Sequence, residues 1–125
     1  MDIISREFQG IEIKFSTIDD VCLNATQTAK QFGKKPDNWL RNKDVQSYIN
    51  ALKETRFSNM RNELVIVKQG GNAQQQGTWI HKKLIINFAR WLDPYFAVWC
   101  DEVIEEIISQ RFAPKISLKE KLELE

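Results

Sequence analysis

Two cysteines, one histidine and three prolines in 125 residues leave little room for several kinds of chemistry. Cys22 and Cys100 lie far apart with no CxxC pair, which excludes a disulfide framework and reads as two reduced, buried thiols in a cytoplasmic protein. A zinc site wants several His, Cys or carboxylate ligands at suitable spacing, and His81 stands alone. The chain shows no Ser-His-Asp order, P-loop or GxSxG elbow, so neither an enzyme nor a cofactor is expected. Nothing approaches the ~18 consecutive apolar residues of a membrane span. Met1-Asp2-Ile3-Ile4-Ser5-Arg6 lacks the basic-then-apolar order of a signal peptide. No internal repeat is visible.

What is present suits one globular domain. Its length can bury a core, and 42% hydrophobic residues with four Trp and seven Phe can fill one. The formal net charge of +1 hides an uneven distribution. Residues 1–29 carry two basic and five acidic side chains, residues 30–92 twelve and four, and residues 93–125 four and eight. A basic middle between acidic ends can offer one face to phosphate while the chain stays soluble.

Three of the five glycines fall in one stretch, Gln69-Gly70-Gly71-Asn72-Ala73-Gln74-Gln75-Gln76-Gly77-Thr78-Trp79. Leu64-Val65-Ile66-Val67 precedes it and Thr78-Trp79-Ile80 closes it, so the stretch reads as the tip of a β-hairpin. Glycine permits close backbone approach, and Asn and Gln each offer a donor and an acceptor. Such a finger can lie against a hydrogen-bonding polymer, or its glutamines can simply be solvated.

Upstream, Ile11-Glu12-Ile13-Lys14-Phe15 alternates with the period of a half-buried strand. A turn at Asp19-Asp20 and the strand Val21-Cys22-Leu23 complete an N-terminal hairpin. Asn24 caps a helix with Gln27 at capping-box spacing, and Gly33 closes that helix as C′. Pro36 suits the first position of a short amphipathic helix. Val45, Tyr48, Ile49 and Leu52 form the apolar stripe of another, which fades near Arg56 into a loop at residues 57–62. Two C-terminal helices follow. One buries Leu84, Ile85, Phe88, Ala89 and Leu92. The other, capped by Asp93-Pro94, buries Phe96, Trp99, Val103, Ile104, Ile107 and Ile108 and exposes Asp101, Glu102, Glu105 and Glu106.

A helix at residues 25–32, a Gly-containing turn at 33–35 and a basic second helix from Pro36 match a helix-turn-helix, with the polar hairpin as its wing. The contact set is then Lys34, Lys35, Asn38, Arg41, Asn42 and Lys43. Arg can pair with guanine and Asn with adenine, while Lys serves phosphate. The same pattern also fits an ordinary helical hairpin with a solvated basic face. Trp39 can stack on a sugar or base or anchor its short helix, and the core is the better reading. Trp79 and Trp91 also read as core.

Leu23-Asn24-Ala25-Thr26-Gln27, Trp39-Leu40-Arg41-Asn42, and Gln69-Gly70-Gly71 with Gln76-Gly77-Thr78-Trp79-Ile80, Leu92-Asp93-Pro94 and Trp99 carry a family likeness. Over about residues 8–110 the chain resembles the KilA-N domain of phage, bacterial and large-DNA-virus proteins, related to the APSES DNA-binding domain of fungal transcription factors. The resemblance implies an α+β domain over residues 1–112. Its expected form is a winged helix-turn-helix with an N-terminal β-hairpin, a Gly/Gln-rich wing and two C-terminal helices. Residues 113–125 are then a charged tail or a linker to a further domain. The implied activity is binding of double-stranded DNA, sequence-specific or general, in a regulatory protein in the cytoplasm of a bacterial or host cell. The wing and flank would contribute Lys68, Gln69, Asn72, Gln74, Gln75, Gln76, Lys82 and Lys83. APSES relatives usually carry a basic wing tip, whereas residues 72–76 here have none. Phosphate contact therefore falls to Lys34, Lys35, Lys43, Lys68, Lys82 and Lys83. An antirepressor-like protein-interaction domain using the acidic last helix, and RNA binding, are the alternatives.

Overall fold

The computed structural model describes residues 2–17, 20–55 and 64–112. Among these are strands β1 (Ile3–Phe8), β2 (Ile11–Ser16) and β3 (Cys22–Asn24), then helices α1 (Ala25–Gln31), α2 (Pro36–Leu40) and α3 (Lys43–Thr55). They are followed by β4 (Val65–Lys68), a 3₁₀ turn (Ala73–Gln75), β5 (Gly77–His81), α4 (Lys82–Leu92) and α5 (Pro94–Phe112). The fold is α+β. One antiparallel sheet holds the five strands in the order β1-β2-β3-β5-β4. The end of the third helical pattern at Arg56, the loop at residues 57–62, Asp19 of the expected turn and the tail at 113–125 lie outside the described residues.

A single apolar row explains the sheet. Ile4, Phe15, Leu23, Ile80 and Val65 face one another in register across all five strands. Residues directly opposite share a face, so the row falls on one side of the sheet. Phe15, Leu23 and Ile80 are fully buried, and burial of each contributes roughly 1.5–3 kcal/mol. Helix α1 packs on β2 and β5, and α4 packs on β3, β5 and α5. Phe96 of α5 lies at the junction, with ring centroids of Phe8, Phe32 and Trp99 at 5.1, 5.0 and 5.6 Å.

The two hairpins expected separately are fused. β3 pairs with β5, setting Cys22, Leu23 and Asn24 opposite His81, Ile80 and Trp79. Strand β1 was not anticipated, because only Phe8 of its six residues is buried and the alternation is weak. Its link to β2 is a two-residue turn with positive φ at both Gln9 (47°) and Gly10 (81°), the geometry that suits strand twist. Several residues are less buried than expected, and Trp99 and Ile108 of α5 are half-buried against the core. Cys22 is half-buried while Cys100 is buried, and burial pushes the Cys100 thiol well above its ordinary range. Tyr48, placed on the apolar stripe of α3, is exposed, although Val45, Ile49 and Leu52 are buried as expected.

Candidate nucleic-acid interface

Helix α1 begins at a buried asparagine that serves two elements. Asn24 Oδ1 accepts from the Gln27 N–H at 3.0 Å, satisfying one orphan donor of the first turn. Asn24 Nδ2 donates to the Gln76 carbonyl at 2.9 Å. Gln27 does not return its side chain to Asn24 as a full capping box would; its Nε2 also donates to the Gln76 carbonyl, at 3.2 Å. Thr26 Oγ1 accepts from the Thr78 N–H at 2.9 Å. The base of the glycine- and glutamine-rich loop is thereby bound to the first turn of α1.

The loop also holds itself. Asn72 Oδ1 accepts from the Gln74 N–H at 2.8 Å, Gln76 Nε2 donates to the Gly71 carbonyl at 3.3 Å, and Trp79 Nε1 donates to the Gln75 carbonyl at 2.8 Å. Gly70, Gly71 and Gly77 all have positive φ. At Gly77, with φ +129°, a Cβ would also meet Asn24 Oδ1 at 2.6 Å. Glycine is required there both by conformation and by the close approach of the cap.

The other end of α1 closes as a Schellman turn. The Gly33 N–H donates to the Lys30 carbonyl at 3.1 Å and the Lys34 N–H to the Ala29 carbonyl at 2.9 Å, with Gly33 at φ +70°. This turn places Lys34 and Lys35 beside Lys30. Together with Thr26, Gly33 and Pro36 they line a depression of about 340 Å³. Thr26 and Lys30 are four residues apart and share a helix face. A basic surface therefore runs from the α1–α2 corner to the residue that binds the loop. Sequence reasoning left Thr26 and Lys30 out of the site; the spacing from Thr26 through Lys30 to Lys34 was the signal.

The remaining expected residues divide by what holds them. Lys34 is tied back, with Nζ donating to the Trp91 carbonyl at 3.0 Å and lying 4.9 Å from the centroid of that indole. Lys35, the N-cap of α2, is exposed and makes no side-chain cap hydrogen bond. Asn38 and Arg41 are exposed on and after α2. Asn42 Oδ1 accepts from the Asp44 N–H at 2.9 Å and so serves the start of α3, where Lys43 is exposed. Trp39 is core: it is 1% exposed, and its Nε1 donates to Asn87 Oδ1 at 3.0 Å. Trp79 is fully buried and Trp91 half-buried against the core.

Lys68 and Gln69 are exposed where β4 ends, and Gln74 is exposed on the loop. Lys82 is half-buried with Nζ 3.1 Å from Asp20 Oδ1, so an acid already neutralises it. Asp20 Oδ2 lies 2.8 Å from His81 Nε2, while His81 Nδ1 accepts from the Lys83 N–H at 3.1 Å and caps α4. Burial raises the Asp20 pKa, but hydrogen bonds from Lys82, the Val21 N–H and His81 outweigh it, and the net shift is downward. Lys83 lines a different depression, with Tyr48, Ile86, Asn87 and Arg90. Among the described residues no group of three or more His, Cys, Asp or Glu is placed to hold a metal ion. No helix among them is long and apolar enough to cross a membrane.

The site is thus a glycine-rich loop bound to a capped helix, beside a basic corner. Residues 6–110 match the KilA-N domain, and the chain belongs to that family, a non-enzymatic one that is commonly DNA-binding. It is 35% identical over 91 residues to a KilA-N domain-containing protein of Acanthamoeba polyphaga mimivirus, covering 67% of this chain and 25% of that protein. A second mimivirus KilA-N domain-containing protein is 32% identical over 101 residues, covering 81% of this chain and 27% of that one. Protein kilA of Escherichia phage P1 is 32% identical over 120 residues, covering 92% of this chain and 42% of that protein. The chain thus spans between a quarter and two fifths of the length of these relatives. Among solved structures none matches the chain significantly.

Proposed function

We propose that the chain is a duplex-DNA-binding module of a phage or viral regulatory protein acting in the cytoplasm of the infected cell. The observation that carries this reading is the union of loop and helix: the loop at residues 69–76 is hydrogen-bonded onto the first turn of α1, whose exposed face continues into Lys30 and Lys35. In this reading α1 and α2 form the helix-turn-helix and the loop is its wing. Lys30, Lys35, Lys43 and Lys68 neutralise phosphate. Asn38 and Arg41, exposed on the short α2, reach base edges. Gln69, Asn72, Gln74 and Gln75 supply uncharged hydrogen bonds to sugar, phosphate or the minor groove. Lys34 and Lys82 act through the fold instead, since each ammonium already has an internal partner.

Fluorescence anisotropy against duplex DNA, single-stranded DNA and RNA of matched length tests it. The expected order is duplex first at every salt concentration. Tighter binding to RNA, or no binding to any of the three, overturns the reading.

A further inference from the structure

Two depressions lie side by side along α4. One, of about 400 Å³, is lined by Tyr48, Lys83, Ile86, Asn87 and Arg90. The other, of about 470 Å³, is lined by Ile86, Arg90, Pro94, Ala97, Val98 and Asp101. They share Ile86 and Arg90 and so adjoin, giving a grooved surface along α3, α4 and α5. Two of the four exposed large apolar side chains among the described residues line it, Tyr48 (42%) and Val98 (63%), and a third, Tyr95 (77%), stands one turn before Val98 on α5. A cluster of that kind on the surface marks a place where another surface sits.

Charge decides what sits there. On the α4 side Lys83 and Arg90 are two turns apart on one helix face, and both are exposed. On the α5 side Asp101 and Glu105 follow Val98 at i+3 and i+7, and both are exposed. Among the described residues none of these four charges has an ion-pair partner, although Arg90 and Asp101 line the same depression. The surface is thus basic on the α4 side and acidic on the α5 side, and Ile86, Pro94, Ala97 and Val98 give its lining an apolar part.

We propose that this groove is the interface of a homodimer, occupied by a second copy of the chain related by a twofold axis near Ile86 and Val98. A twofold contact requires a surface complementary to itself. Here the basic side of each copy meets the acidic side of the other, and the apolar part of the lining meets its own kind. A nucleic acid would be repelled by Asp101 and Glu105, and an acidic protein would satisfy Lys83 and Arg90 alone. The inference stands on this surface and does not depend on DNA binding.

Sedimentation velocity of the 125-residue chain over a wide concentration range tests it. The expected result is a reversible monomer–dimer equilibrium. Val98→Glu, at an exposed position where folding is untouched, should raise the dimer dissociation constant about tenfold or more, as should Arg90→Glu or Asp101→Arg alone. An equimolar mixture of Arg90→Glu chains and Asp101→Arg chains should recover the dimer, because each then meets the opposite charge at both contacts. A chain that stays monomeric throughout, a dimer indifferent to Val98→Glu, or a mixture that fails to associate overturns the proposal. So does association only with some other protein.

Discussion

The side-chain amide of Asn24 reaches the backbone carbonyl of Gln76 across 2.9 Å, joining residues 52 apart in sequence. Because the same side chain caps α1, one fully buried group joins the start of the helix to the base of the loop. Hydrogen bonds hold the base of the loop against α1, and a loop held in place before binding loses less entropy when it meets a partner.

The two roles of Asn24 separate in two variants. Asn24→Asp keeps the acceptor that caps α1 but loses the donor and sets an acceptor against the Gln76 carbonyl. A carboxylate at this buried site costs stability, so the variant is measured where it still unfolds cooperatively; there it should bind duplex DNA more weakly, with a nearly unchanged salt dependence. Asn24→Ala loses cap and tie together, and chemical denaturation should show a loss of about 1–2 kcal/mol from the cap alone. Gly77→Ala, which drives a methyl group into Asn24 Oδ1, should destabilise strongly. Its cost should be non-additive with that of Asn24→Ala in a double-mutant cycle. Additive costs would contradict a shared contact.

Lys34 and Lys35 are neighbours with different work. Lys34→Ala removes a cation from a tryptophan face and from a carbonyl in the last turn of α4. Thermal unfolding should report a loss of about 0.5–1 kcal/mol. Lys35→Ala should leave stability within about 0.5 kcal/mol and act on DNA affinity instead. Equal effects of the two changes on stability would count against the assignment.

Asp20 gives the fold a specific acid sensitivity. Its folded pKa lies below the ordinary value of 3.8 because three hydrogen bonds outweigh the effect of burial. A lowered carboxylate pKa contributes stability that is fully present above the unfolded value and is lost as pH falls through the folded one. The stability difference between wild type and Asp20→Asn should therefore shrink as pH drops below 3.8. A difference that grows on acidification would reverse the sign of the linkage.

How much of this was legible in the sequence depends on whether the signal is local. Helix α4 was read with its buried stripe intact, and the stops at Gly33 and Asp93-Pro94 were read because caps act within a few residues. The apolar row across the sheet was half visible: Phe15, Leu23 and Ile80 stood in recognisable strands, but their alignment rests on pairing between β3 and β5, far apart in the chain. Strand β1 was hidden because a weakly buried edge strand has no clear period. In the candidate site the basic corner was visible as composition. The tie from Asn24 to Gln76 was not, because a capping residue looks the same whether or not its second atom has a distant partner. Tyr48 followed the helical period and still ended in water, since periodicity gives a face and not what covers it.

The central claim is that a basic α1 corner and an uncharged loop meet duplex DNA together. The salt dependence of duplex affinity tests it most directly, measured for wild type and for Lys30→Ala/Lys35→Ala. Each phosphate neutralised adds about 0.9 to the slope of log K against log salt, so a handful of contacts gives a wild-type slope on the order of −4, and the double variant should fall to about −2. A flat wild-type response, or a double variant with an unaltered slope, would contradict the account.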